Sequence, residues 1–187
     1  MIWEKPGTRN TADTVELAVE KAKAEGIKHL VVASNSGSTA EKCLREDLQV
    51  VCVTHQVGFK DPGRDEMPSQ KRTQLEELGV KVLTTSHFLA GVDRALRFKE
   101  GGLYPAEIVA HTLRMMGQGV KVCLEISVMA LDAGLIPYGK EVVAVGGTGR
   151  GADTALLLTP EHGQNLFDTR IHEIICKPGL RKNKKVP

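Results

Sequence analysis

Four hydroxyl side chains, one amide and one glycine are crowded into the hexapeptide Ser34-Asn35-Ser36-Gly37-Ser38-Thr39. The apolar run HLVVA precedes it, a segment of helical character reaching Arg45 follows it, and a second apolar run, LQVVCVT, comes next. Two short β-branched runs around a segment of helical length read as strand, turn, helix, strand. The turn then lies at a helix start, where free backbone N–H groups and the helix dipole favour an anion. Ser, Asn and Thr also serve as plain helix caps, but a cap needs one such residue and this turn carries five. No lysine lies in the hexapeptide, and the G-x-x-x-x-G-K-[ST] pattern is absent. The expected ligand group is therefore a monophosphate or phosphosugar held without a metal.

Two further groups of residues carry useful chemistry. The connection HQVGFKDPGRDEMPSQ leaves the carboxyl end of the second strand at Thr54, the edge of an open α/β sheet where ligands usually sit. Its length is unusual inside a compact domain, which marks residues 57–65 as a candidate lid. His55, Phe59 and Arg64 are its chemically useful members. His55 and His87 both follow strand ends that should face a pocket, whereas the other four histidines read as structural or surface residues. Later in the chain, Gly146-Gly147-Thr148-Gly149-Arg150-Gly151 lies between two predicted strands. A hairpin needs two glycines and this loop has four, a surplus that favours close approach of backbone to a ligand, with Arg150 adding a permanent charge. The loop does not match the dinucleotide fingerprint, because a strand follows it where that motif requires a helix.

The elements that must position these residues follow from hydrophobic periodicity and punctuation. A helix runs from Asn10 or Thr11, either of which can cap it, to Gly26, with Val15, Leu17, Ala18, Ala22 and Ala24 on its apolar face. Helices are also expected over 69–78, 88–98 and 105–116, and strands over 80–84, 141–145 and 154–158. The stretch VKVCLEISV alternates like a strand while its continuation to Gly134 suits a helix, and helix is taken partly on the resemblance described below. Glu125 is then either paired in the interior or turned toward the ligand. RIHEIICK reads as an added edge strand.

Composition narrows the function classes. The 187 residues suit a single domain, read as 1–180, followed by a basic tail over 181–187. A net charge of +2 from 25 basic and 23 acidic residues offers no broad attraction to nucleic acid or membrane. Cys43, Cys52, Cys123 and Cys176 show no C-x-x-C spacing and read as buried thiols of a reducing compartment. No His/Cys/Asp/Glu cluster has metal-ligand spacing. The start lacks a signal-peptide pattern and no apolar run is long enough to span a bilayer, so a cytoplasmic location is expected.

With both loops in hand, the order of parts resembles the carboxy-terminal domain of pyruvate kinase. HLVVASNSGSTAEKCLREDLQVVCVT is similar to the segment whose Ser/Thr-rich turn holds a phosphate of a sugar bisphosphate effector. GKEVVAVGGTGRGADTALLL is similar to the last strand pair with its flexible glycine loop. The resemblance covers roughly residues 11–158 and does not extend to the catalytic barrel, so kinase activity is not implied. The stretches PGTRNT, VVAS, VTHQVGF, KVCLEI and VGGTGRGADTA further resemble a family of small stand-alone prokaryotic proteins with this domain. That family has no established activity and is associated with bound flavin mononucleotide (FMN).

The resemblance implies a three-layer α/β/α sandwich with a mixed, mostly parallel five-stranded sheet. Its order is 3-2-1-4-5 in chain numbering, with the last strand antiparallel. Periodicity alone supports only alternating α/β units. In that order the two loops meet at the switch point. The implied FMN site comprises Ser34, Asn35, Ser36, Gly37, Ser38, Thr39, Thr54, His55, Gly58, Phe59, His87, Gly146, Gly147, Thr148, Gly149, Arg150 and Gly151. The string [ST]-x-[ST]-G-x-[ST] is shared with flavodoxin-like proteins and with sugar-phosphate isomerase domains. Two alternatives therefore stand beside FMN binding: a non-catalytic sensor of a phosphorylated sugar, and a sugar-phosphate isomerase or lyase using Glu125, His55 or His87 as base. Whether the protein is an enzyme is left open, as is homo-oligomerisation.

Overall fold

The computed structural model describes residues 1–179. The basic tail over 181–187 lies outside the described residues. The chain runs β1 (Ile2–Trp3), α1 (Thr11–Ala24), β2 (His29–Ala33), α2 (Ser38–Lys42), β3 (Gln49–Val53), α3 (Ser69–Glu77), β4 (Lys81–Leu83) and α4 (Gly91–Glu100). It continues α5 (Pro105–Arg114), α6 (Gln118–Asp132), β5 (Val142–Gly146), β6 (Thr154–Thr159) and β7 (Arg170–Pro178).

All strands join one sheet of order β1-β7-β6-β5-β2-β3-β4. The expected five-stranded order lies inside it, with β2, β3, β4 and β5 parallel and β6 antiparallel to β5. Two strands are added at one side, making seven rather than five. β7 pairs antiparallel with β6, and the two-residue β1 covers β7 in parallel register. RIHEIICK is thus one strand in from the edge, because the amino-terminal Ile2 and Trp3 pair with Lys177 and Pro178.

Strand alternation divides the interior into two cores. Leu30 and Val32 of β2, Val143 and Val145 of β5, and Ala155 and Leu157 of β6 face α1, α2 and α3 together with Val15, Ala18, Val19 and Ala22. Val31, Val51, Ala144, Leu156 and Leu158 face α6 on the other side. This is the three-layer α/β/α sandwich. α6 buries residues on nearly every side, which is why VKVCLEISV shows no clean helical stripe. Gly134, at φ +67°, ends it.

Local departures from the sequence reading have tertiary causes. Asn10 stands at the N-cap of α1 but makes no side-chain cap bond. Its amide donates to the Lys5 carbonyl at 2.8 Å, while the Thr11 hydroxyl accepts from Ala152 N–H at 3.0 Å. On α1, Val19 is buried and Ala24 is exposed. α2 stops at Lys42, where Arg45 folds back to donate to the Lys42 and Leu44 carbonyls and pairs with Glu16 at 3.1 Å. α4 begins at Gly91 rather than near Phe88, since Leu89 N–H is taken by the Glu125 carboxylate at 2.9 Å.

Two outcomes test this packing. A Cβ at Gly119 of α6 would lie 2.0 Å from the buried Thr154 Oγ1, which itself donates to Asp153 at 2.9 Å and cannot swing aside freely. Gly119→Ala should cost about 1–3 kcal/mol of stability in urea unfolding; wild-type stability would show that α6 and β6 separate easily. All four cysteines are buried, and burial pushes the Cys43 and Cys52 thiols up to about 12. A thiol reagent at neutral pH should find none reactive in the native protein and four in denaturant.

Candidate functional site

β2 and β5 lie side by side in parallel, with Leu30 opposite Val143 and Val32 opposite Val145. Their carboxyl ends, and the loops that leave them, therefore sit together at the point where the strand order reverses. From β2, Ser34 turns into the hydroxyl-rich hexapeptide. Ser34 is buried, and its Oγ accepts the Thr39 N–H at 3.2 Å, closing the turn on itself. Gly37 takes a left-handed conformation (φ +81°) beneath Leu75 and Lys71 of α3, where a Cβ would meet Leu75 at 2.8 Å. Ser36 and Ser38 stay at the surface with their hydroxyls 3.1 Å apart. Among the described residues, no hydrogen bond takes the N–H of Ser36, Gly37 or Ser38. Successive free N–H groups around a left-handed glycine form a concavity suited to an anion.

The glycine loop from β5 is held at its base. Asp153 is fully buried; its Oδ2 accepts the N–H of Gly7 at 2.9 Å and of Thr148 at 3.2 Å, and its Oδ1 accepts the Thr154 hydroxyl. Three of the four glycines have packing reasons. A Cβ on Gly146 would press on Cys123 and Val122 at 3.0 Å, one on Gly147 would meet the Gly151 carbonyl at 2.6 Å, and one on Gly151 would meet Thr11 Oγ1 at 2.4 Å. Gly149 has open space around it, and with Thr148 and Arg150 it forms the exposed tip. The surplus of glycine thus belongs mainly to the loop's attachment, and the tip is exposed.

A third set gathers at the ends of β3 and β4. Asn35 bonds His55 twice: its Oδ1 accepts the His55 N–H at 2.9 Å, and its amide nitrogen lies 3.1 Å from His55 Nε2. His55 Nδ1 lies 2.5 Å from Glu66. The His55 ring stands 3.9 Å from the Phe59 ring, and His87 meets both edge-on at 5.3 Å. Arg94 lies over Phe59 at 5.5 Å. The long loop is anchored behind them. Met67 is buried, Gly58 N–H bonds the Arg64 carbonyl, and Arg72 bridges Asp65 and Thr84, whose hydroxyl meets Thr54 at 2.7 Å. Residues 57–64 form its more exposed tip.

One member of the neighbourhood, Lys121, lies outside the residues singled out in the sequence. It is 7 % exposed and ion-paired with Glu125 one turn along α6. The i, i+4 spacing of a lysine and a glutamate inside an otherwise apolar run was the available signal. Burial pushes the Lys121 ammonium down, against the pull of Glu125. Both Glu125 oxygens are committed, one to Lys121 and one to Leu89 N–H. Burial likewise lowers the His87 imidazole, with Glu125 opposing. Burial would raise Glu66, but hydrogen bonds from Lys60 and His55 outweigh it and hold the carboxyl low. A groove of about 690 Å³ is lined by residues of the long loop and the start of α3, among them Lys60, Asp65, Ser69 and Arg72, and by none of residues 34–39 or 146–151. Among the described residues, no three His, Cys, Asp or Glu side chains gather as metal ligands, and no helix is long and apolar enough to cross a membrane.

Two measurements follow. Unfolded His87 takes up its proton near its ordinary 6.5 while the folded residue resists, so the stability it contributes is present above that pH and lost as pH falls below it. Glu66, depressed from 4.5, adds a second loss as pH falls further. Melting temperature should therefore decline from pH 7.5 to 5.5, and His87→Gln should flatten part of that decline; an unchanged slope would show that His87 titrates normally. Asp153→Ala leaves the Gly7 and Thr148 N–H groups unpaired and should cost about 2–3 kcal/mol, measured by denaturant unfolding.

Residues 12–158 match the family described as pyruvate kinase, alpha/beta domain. Among solved structures, the chain is similar to pyruvate kinase of Cryptosporidium parvum, at 17% identity over 77% of this chain and 21% of that one, with a TM-score of 0.39. A complex of that organism's pyruvate kinase with ADP is similar at 18% identity over 82% of this chain and 23% of the other, with a TM-score of 0.41. The chain thus spans less than a quarter of the length of these enzymes. The match of the family across most of the chain decides its membership: the protein belongs to the pyruvate kinase alpha/beta domain family.

Proposed function

We propose that this protein binds a phosphate-bearing ligand, FMN foremost, in the crevice between the loops that follow β2, β3 and β5. The observation that carries this reading is the free N–H run at Ser36, Gly37 and Ser38, flanked by two exposed hydroxyls, on the strand that pairs with the one preceding the glycine loop. Such a donor set fits a phosphate dianion. The Ser34 and Thr39 turn holds those donors in place, and Arg150 and Thr148 extend from the neighbouring loop. The His55, Phe59 and His87 rings supply a small aromatic wall suited to a flat ring system. Asn35 links that wall to the phosphate turn. A bound flavin would supply hydride or one-electron transfer. The chain's own residues bind and orient it.

Binding of a phosphorylated sugar without chemistry is the second reading. It is favoured by the same phosphate donors and by the resemblance to an effector-binding domain. The isomerase or lyase alternative has weaker support, since Glu125 and both ring nitrogens of His55 are already engaged.

The absorbance spectrum of the purified protein and a fluorescence-quenching titration with FMN test the first reading. Ser36→Ala with Ser38→Ala removes two donors at about 1 kcal/mol each and should weaken FMN roughly tenfold or more while sparing riboflavin, which lacks the phosphate. Equal losses for both flavins would place the phosphate elsewhere. In thermal unfolding, a ligand at 100 times its dissociation constant should add roughly 2.7 kcal/mol; a shift with phosphosugars and none with FMN would select the second reading.

A further inference from the structure

The hexapeptide at 34–39 contains no cation, yet the fold brings one beside it. Lys71, in the first turn of α3, packs its stem on Gly37: a Cβ placed on that glycine would stand 3.0 Å from Lys71 Cγ and 3.4 Å from Lys71 Cε. A residue with a side chain would block this path, and the left-handed backbone of Gly37 disfavours one as well. Allowing one bond at each end of the 3.4 Å contact, the Lys71 ammonium lies within about 6.5 Å of the Gly37 Cα, at the middle of the free N–H run.

The ammonium pairs with Glu41 Oε2 at 2.8 Å, and the lysine side chain is 22% exposed. Glu41 stands in the first turn of α2, and its N–H bonds the Gly37 carbonyl at 3.0 Å, so the ion pair ties α3 to the turn itself. One carboxylate oxygen occupies one direction of a group that carries three N–H donors. A phosphate dianion held at the turn would meet Glu41 as a like charge within one helical turn, which costs affinity. A lysine between the two anions is attracted by both.

We infer that Lys71 is a ligand-binding residue of the phosphate turn: its ammonium, held ready by Glu41, contacts the phosphate cradled by the N–H groups of Ser36, Gly37 and Ser38. The inference rests on the phosphate-site reading above and assigns that site the cation its own hexapeptide lacks. The flexible four-carbon stem lets the ammonium turn from Glu41 toward the ligand while its inner carbons stay packed on Gly37.

Fluorescence titrations of the full chain with FMN and with riboflavin test this. Lys71→Met keeps an unbranched stem over Gly37 and removes the charge; it should weaken FMN roughly tenfold or more and leave riboflavin unchanged. Glu41→Gln breaks the same ion pair from the other side and should bind FMN at least as tightly as the wild type. Lys42→Met, which removes a charge from the exposed end of α2, should change neither flavin. A pair that merely braces the fold predicts weaker FMN binding from both Lys71→Met and Glu41→Gln, and that outcome overturns the assignment. So does an unchanged FMN affinity in Lys71→Met, or an equal loss in Lys42→Met. A wild type that does not prefer FMN to riboflavin would sink the phosphate site itself, and the role of Lys71 with it.

Discussion

The pairing of β2 with β5 is the constraint on which the shared position of the two strand-end loops depends. Three residue pairs, Leu30 with Val143, Val31 with Ala144 and Val32 with Val145, hold two strands separated by more than a hundred residues in parallel register. A one-residue slip would invert every side chain between the α1 and α6 cores. The register is therefore strongly specified by burial, and the loops after Ala33 and Gly146 are delivered to one place. Without that pairing, a hydroxyl-rich turn and a glycine loop would be two unrelated surface features.

Around this pair the molecule sorts its polar groups into those that build and those that are left free. Asp153, Asn10 and Thr11 build: their side chains tie residues 5–11 and the glycine loop together. Arg72, Asp65, Thr84 and Thr54 form a second chain of bonds that fixes the base of the long loop. Lys121 and Glu125 satisfy each other inside the domain, where an unpaired charge would be costly. In the turn after β2, the Ser36 and Ser38 hydroxyls meet only each other, and among the described residues the N–H groups of Ser36, Gly37 and Ser38 have no partner.

Membership of the pyruvate kinase alpha/beta domain family accounts for the sheet order and for the paired loops. It does not account for the extra strands. β7 extends the sheet beyond β6, and β1 covers it, so the amino-terminal residues close one edge while the short β4 ends the other. Short or covered edges limit pairing between sheets of separate molecules.

Most elements were legible from residue order alone because strand and helix periods are local properties. HLVVA, LQVVC and TALLL declare buried strands, and Gly26, Gly79 and Gly134 declare helix ends. The polar turn at 34–39 was legible for the same reason, as a composition no buried segment would tolerate. What only the tertiary structure decided were relations across long separations. Asp153 and Gly7 stand 146 positions apart, and nothing in either neighbourhood names the other. The same holds for the edge position taken by Ile2 and Trp3, for the gathering of His55, Phe59 and His87 into one wall, and for the packing role of three glycines in the late loop. Periodicity records which side of an element faces inward; the identity of what it faces is fixed only when distant segments compete for the same buried space.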